Sequence, residues 1–223
     1  MYLSKMIPNV KCKVPARVYS LGEEIASSVT HGIGFGLAVA ALVVLIVRAV
    51  HHSDAQSVVS VSIYGSTLIL LYLMSTLYHA LTNSKAKKIL KILDHSSIYL
   101  LIAGTYTVYS LSVLRGALGW VVFGVIWGCA ILGIVMESLQ RNNNKIISTI
   151  LFVLMGWVVI GFVGPMKVAM SSTSFALLLW GGGVYTLGAI VYALKRIPWT
   201  HPVWHLFVIA GSILHFFSIW WTF

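Results

Sequence analysis

Seven apolar stretches, each near twenty residues long and joined by short polar connections, decide what this chain can become. They cover roughly residues 25–49, 58–81, 92–114, 117–137, 146–164, 173–194 and 201–222. An α-helix rises 1.5 Å per residue, so about 20 apolar residues cross the roughly 30 Å hydrocarbon core of a bilayer. Seven such stretches in 223 residues leave no room for a soluble domain beside them. The expected fold is therefore an all-α membrane protein, a bundle of seven transmembrane helices. Composition agrees: 9% of the residues are charged, against about a quarter in a soluble domain.

The formal charge of +10 would suit a nucleic-acid partner if the basic residues formed one continuous face. They fall instead into clusters between the apolar stretches, which is how membrane topology is written. Lys5, Lys11, Lys13 and Arg17 precede the first stretch. Lys85, Lys87, Lys88 and Lys91 follow the second, Arg141 and Lys145 the fourth, Lys195 and Arg196 the sixth. The alternate connections hold only Arg48, Arg115 and Lys167. The positive-inside rule then puts the N-terminus in the cytoplasm, and an odd number of spans puts Phe223 outside. Residues 1–20 read as a basic cytoplasmic tail without the apolar core of a signal peptide, and 21–223 as the seven-helix domain of a multi-pass protein of the plasma membrane. Cys12 and Cys129 lie too far apart in this scheme for a disulfide, and no self-similarity between halves suggests an inverted-repeat transporter. Gly124 and Gly128, four apart, and Gly181-Gly182-Gly183 are expected at close helix contacts or a bend.

In so apolar a chain every ionisable residue inside a span calls for a reason. The acids are Glu23, Glu24, Asp54, Asp94 and Glu137, and the histidines His31, His51, His52, His79, His95, His201, His205 and His215. His79 closes the second stretch, His95 opens the third, His201 and His205 open the seventh, and His31 lies one or two turns into the first, so topology alone brings five histidines to one depth. His201 and His205 are four apart and project from one helical face, the geometry by which a helix offers two nitrogens to one metal. His79 is the best-placed third ligand, with Ser75 one turn deeper on its face. Three neutral nitrogens with an open fourth position form the arrangement of catalytic zinc. Asp94, at the expected start of the third helix, either caps that helix or acts on water at the metal. Glu23 and Glu24 have the same two readings at the start of the first helix, as caps or as carboxylates supporting the site. His31 and His95 join that supporting set. His51 and His52 fall in an outer loop, and His215, about 21 Å deeper than His201, lines the interior without being a ligand.

The stretches Glu23-Glu24-Ile25-Ala26 with Thr30-His31-Gly32, Ser75-Thr76-Leu77-Tyr78-His79, Asp94-His95 with Ala103-Gly104-Thr105-Tyr106-Thr107, and His201-Pro202-Val203-Trp204-His205 with His215-Phe216 together resemble the hemolysin III family. That family is the bacterial branch of the progestin and adipoQ receptor superfamily. The resemblance runs from about residue 20 to near the end. It implies seven helices with a cytoplasmic N-terminus and, from the receptor branch, a zinc ion on His79, His201 and His205, with Ser75 one turn before the first ligand and Asp94 near the water on the metal. The sequence departs from the family pattern at Ser27, where an asparagine is usual, and at Val108, where a proline commonly follows Gly-Thr-Tyr-Thr.

Three functions are compatible with these expectations. The first is a zinc-dependent hydrolase of lipid amides or esters, similar to the superfamily's ceramidases, with membrane lipids as partners, a lipid substrate in the bundle interior and a part in membrane lipid homeostasis. The second is a non-enzymatic sensor or receptor in which zinc is structural. The third is the cytolytic pore that the family name suggests, which a chain of mean hydropathy +0.93 does not fit, since a secreted pore former must first be soluble.

Overall fold

The computed structural model describes residues 19–82, 84–139, 145–194 and 197–223. Most of the basic tail, with Cys12, and Arg141, Lys195 and Arg196 lie outside the described residues. Among the described residues the secondary structure is helical throughout, and seven helices are long and apolar enough to cross a membrane. The chain is thus a seven-span, all-α protein.

The first span is α1 (Leu21–His52) and the second α2 (Ala55–Ala80). α3 (Ser84–Val108) continues through one π-helical segment, Tyr109–Leu114, as the third span, and α4 (Gly116–Leu139) is the fourth. The fifth is broken into α5 (Lys145–Gly156), a 3₁₀ segment Trp157–Phe162, and α6 (Val163–Ala169). α7 (Ser172–Ala193) and α8 (Thr200–Trp220) complete the bundle. Sequential spans pack as antiparallel neighbours, α5 packs on α3, α4 and α7, and α1 packs on α8, which closes the ring. Aliphatic side chains such as Val29, Val43, Leu132 and Ile190 stay exposed on the outside, as a lipid-facing surface requires.

Several expectations change. α3 begins at Ser84, eight residues before its apolar stretch, because the Lys-Ala-Lys-Lys run between Ser84 and Ile89 consists of good helix formers. Asp94 therefore sits ten residues inside α3, roughly 15 Å along it, and is not a helix cap. His31 is likewise ten residues into α1, and His51 and His52 occupy the last turn of α1, exposed. Gly124 and Gly128 make no close helix contact: a Cβ at either would meet nothing within 4 Å. Of the three consecutive glycines only Gly181 is tightly confined, because a Cβ there would collide with the His215 ring.

The break in the fifth span has a local cause. Pro165 has no N–H to donate back to residue 161, and Gly156 and Gly161 weaken the helix before it. The Tyr106 hydroxyl fills the gap by donating to the Gly156 carbonyl (2.8 Å) and accepting from the Val159 N–H (2.7 Å). A hydroxyl thus replaces a turn of ladder that hydrocarbon could not satisfy.

Charge separates between the two ends of the bundle. Arg115 pairs with Asp54 at 2.8 Å, and Arg48 lies over the Trp220 ring and donates to its carbonyl (2.8 Å), at the end where α8 finishes. Lys85, Lys87, Lys88 and Lys91 occupy the first two turns of α3 at the opposite end, beside His79.

Candidate metal centre

The starts of α1, α3 and α8 and the end of α2 meet at the lysine-rich end, and a bracket made by Glu23 sets α1 against α8. Its Oε2 accepts from Ser20 N (2.9 Å) while Ser20 Oγ accepts from Glu23 N (3.3 Å), a capping box on α1. Its Oε1 accepts from the N–H of Trp199 (2.8 Å), the left-handed residue (φ 66°) at the N-cap of α8. Glu23 is fully buried and ties the first span to the last.

Within that frame His79 projects from the last turn of α2 and His201 and His205 from the first two turns of α8. All three are buried, and one nitrogen from each lies within 4.8 Å of the others. The Nε2 atoms of His79 and His201 are 3.0 Å apart. Two nitrogens on one tetrahedral zinc at 2.0–2.1 Å stand about 3.3 Å apart, so this pair already has nearly the spacing a shared ion imposes. The outer nitrogens are held as well. His79 Nδ1 faces Glu24 Oε2 at 2.6 Å, and His205 Nδ1 faces the Ser27 carbonyl at 3.1 Å. Each acceptor keeps a proton on Nδ1 and so leaves the Nε2 lone pair inward, which is how metal-binding imidazoles are oriented. His205 Nε2 and Ser75 Oγ are buried without a hydrogen-bond partner, a costly state unless something is bound there. This donor set fits zinc.

Glu24 accepts from Lys87 Nζ on its other oxygen (2.7 Å), so α1, α2 and α3 share one ion network at the site. Aromatic rings wall the cluster. Tyr19 stacks on His201 (centroids 4.6 Å, 19° between planes), Trp204 and Tyr192 flank it, and Tyr78 lies edge-on to His79. His31 stacks on His205 at 3.6 Å.

Beside the cluster an elongated cavity of about 140 Å³ runs between α3, the broken fifth span, α7 and α8. Asp94 and His95 line one end and Tyr109 lies at the other, fifteen residues along the third span, or roughly 22 Å. The walls between are mainly apolar, with Ile98, Phe152 and Leu179 among them, and His215 lines the deep part as expected. His31, Asp94 and Trp204 face the cavity, whereas the three clustered histidines do not line it.

The residues this arrangement rests on are those matched by the family model described as Haemolysin-III related, which covers residues 19–216. The chain belongs to the haemolysin III family. It is 44% identical over 197 residues to Hemolysin-3 of Bacillus cereus, spanning 88% of this chain and 90% of that one. It is 43% identical over 202 residues to the Hemolysin-3 homolog of Bacillus subtilis (strain 168), 91% and 95% of the two chains. A more distant likeness, 26% over 177 residues, joins it to the human Monocyte to macrophage differentiation factor, 75% and 71% of the two chains, and supports the wider receptor superfamily.

For this family member the structure brings His79, His201 and His205 together, with Glu24 on His79 and His31 stacked on His205, and sets Ser75 one turn below His79. Asp94 stands at the end of the cavity. His95 turns another way: its Nδ1 meets Glu137 Oε1 at 2.7 Å, and Glu137 Oε2 accepts from Ser148 Oγ at 2.8 Å. Glu137 thus joins α3, α4 and α5, a role that no local pattern in the sequence signals because its partner is 42 residues away. Tyr19 and Tyr192 were also outside the sequence reading, since aromatic residues at a membrane interface are common and carry no spacing of their own.

Proposed function

We propose that this haemolysin III protein is a zinc-dependent hydrolase of lipid amides or esters, set in the plasma membrane with its lysine-rich end in the cytoplasm. One observation carries the reading: three buried histidines, two of them with anchored Nδ1 atoms, stand beside the polar end of a long apolar cavity. Zinc on His79, His201 and His205 would supply Lewis-acid polarisation and a water that ionises near neutral pH. The protein's own part follows from its residues. The cavity takes an acyl chain and excludes bulk water from the scissile bond. Asp94, buried at the cavity's end, accepts a proton from the attacking water and returns one to the leaving group. Ser75 offers its unpartnered hydroxyl to the same water or to the carbonyl. Glu24 fixes the His79 ring. Turnover of membrane lipid would give the protein a part in lipid homeostasis.

The test measures zinc content and fatty-acid release from ceramide-like and phospholipid substrates in nanodiscs. His205→Ala should lose both, whereas His51→Ala should lose neither. Asp94→Asn should keep zinc and lose roughly 10²- to 10⁴-fold in rate, the usual worth of a positioned acid or base. Rates undiminished in both His205→Ala and Asp94→Asn would end the hydrolase reading. Zinc-dependent stability without turnover would favour a receptor in which the metal ties α2 to α8. Cytolysis, the sense of the relatives' name, is supported least, because a constitutive pore needs a polar path and the long cavity is apolar.

A further inference from the structure

Among the described residues, His31 is the one side chain with two buried polar atoms that both lack a hydrogen-bond partner. It is 1% exposed, and neither ring nitrogen has a hydrogen-bond partner in the protein. The main chain of His205 is near enough to be felt electrostatically but lies outside hydrogen-bond geometry. A neutral imidazole has one donor and one acceptor, and leaving both unmet in a dry interior is costly. Packing accounts for the position of the ring, stacked on His205 at 3.6 Å and edge-on to Tyr72 at 5.1 Å, but not for its nitrogens. A phenylalanine would pack there without that cost.

The ring also lies where a ligand would use it. His31 lines the same cavity as Asp94 and Trp204, at the end beside the metal centre. We infer that His31 is a ligand-recognition residue: its N–H donates to the carbonyl oxygen of a long-chain amide or ester seated in the cavity, and so places that carbonyl next to the histidine cluster. This deepens the hydrolase reading and rests on it for the ligand's class, yet it concerns binding and not the chemical step. It moves His31 from a support of the metal ligands to a contact of the substrate.

Binding can be read from quenching of tryptophan fluorescence in nanodiscs, with Trp204→Phe identifying the cavity signal. The probes are chain-brominated hexadecanamide and the equally brominated alkane, which differ in the polar head alone. Wild type should bind the amide about tenfold or more tightly than the alkane, as a buried hydrogen bond implies. His31→Phe, or His31→Leu if the phenylalanine does not fold, should bind both alike. His31→Gln, which restores an N–H, should recover part of the preference, and zinc per chain should match wild type throughout. Equal affinities in wild type, as when a water alone satisfies His31, would overturn the inference. So would an amide preference retained in His31→Phe, or one lost together with zinc. Turnover without the preference leaves the hydrolase standing and removes His31 from it; preference without turnover does the reverse.

Discussion

Glu23 and Glu24 are adjacent and chemically alike, yet the structure gives them different work, and replacing each by Gln should separate it. Glu24 meets His79 Nδ1 at 2.6 Å, the short distance of a charge-assisted bond. Glu24→Gln keeps an acceptor but removes the charge that holds the imidazole in one tautomer and raises its donor strength. Loss of such a supporting group costs a metal site about 10- to 100-fold in affinity, or about 1.4 to 2.7 kcal/mol. Lys87 loses its partner in the same change, but on a partly exposed pair that adds little. Glu23→Gln should behave oppositely. Its oxygens serve Ser20 and Trp199, so the variant should lose about 1 to 2 kcal/mol of stability through the weakened cap and keep its zinc affinity within about threefold. Competition against a fluorescent chelator gives the affinities, and thermal unfolding in detergent gives the stabilities. Zinc affinity unchanged in Glu24→Gln, or lowered equally in both variants, would refute the assignment of the His79 partner.

Tyr106→Phe should lower stability by about 1 to 3 kcal/mol, because the Gly156 carbonyl and the Val159 N–H lose their shared partner in a place without water; unfolding in detergent measures it. Reporter fusions at residue 88 and at the C-terminus should show opposite locations, cytoplasmic for the first, and a cytoplasmic C-terminus would overturn the orientation read from charge. The Asp54 carboxyl is held below its usual range, first by the Ser57 N–H that donates to it and then by Arg115. Its folded pKa is depressed, so its contribution is present above pH about 4 and lost as pH falls through the folded value. Asp54→Asn should flatten that acid limb of the stability profile by removing the contribution near neutrality, while stability below the folded value stays little changed.

The spans were legible because bilayer thickness imposes a length on apolar runs that no other constraint imitates. His201 and His205 were legible because a spacing of four on a helix is a geometry in itself, and His79 because topology puts it at the same depth. The start of α3 was not, since Lys85, Lys87 and Lys88 read equally as a solvated loop or as the polar turns of a helix, and the packing of α3 on α2 decides. The break in the fifth span had a marker in Pro165 but none for the Tyr106 hydroxyl that makes it tolerable. The partnership of His95 with Glu137 and the stacking of His31 on His205 join residues far apart in the chain, and a single sequence contains no term that couples them.

The Glu23 bracket has a consequence for how the protein comes into being. Glu23 and Trp199 are 176 residues apart, so at roughly 5 to 20 residues per second the first helix is inserted roughly 10 to 35 s before its partner is made. Throughout that interval Glu23 and Glu24 have neither Trp199 nor the α8 histidines beside them. Two of the three candidate metal histidines arrive with the last helix. The candidate metal centre is therefore a late product of translation, and an interrupted chain lacking α8 would enter the membrane with two acids and a single one of the three candidate ligands where the finished protein has a site.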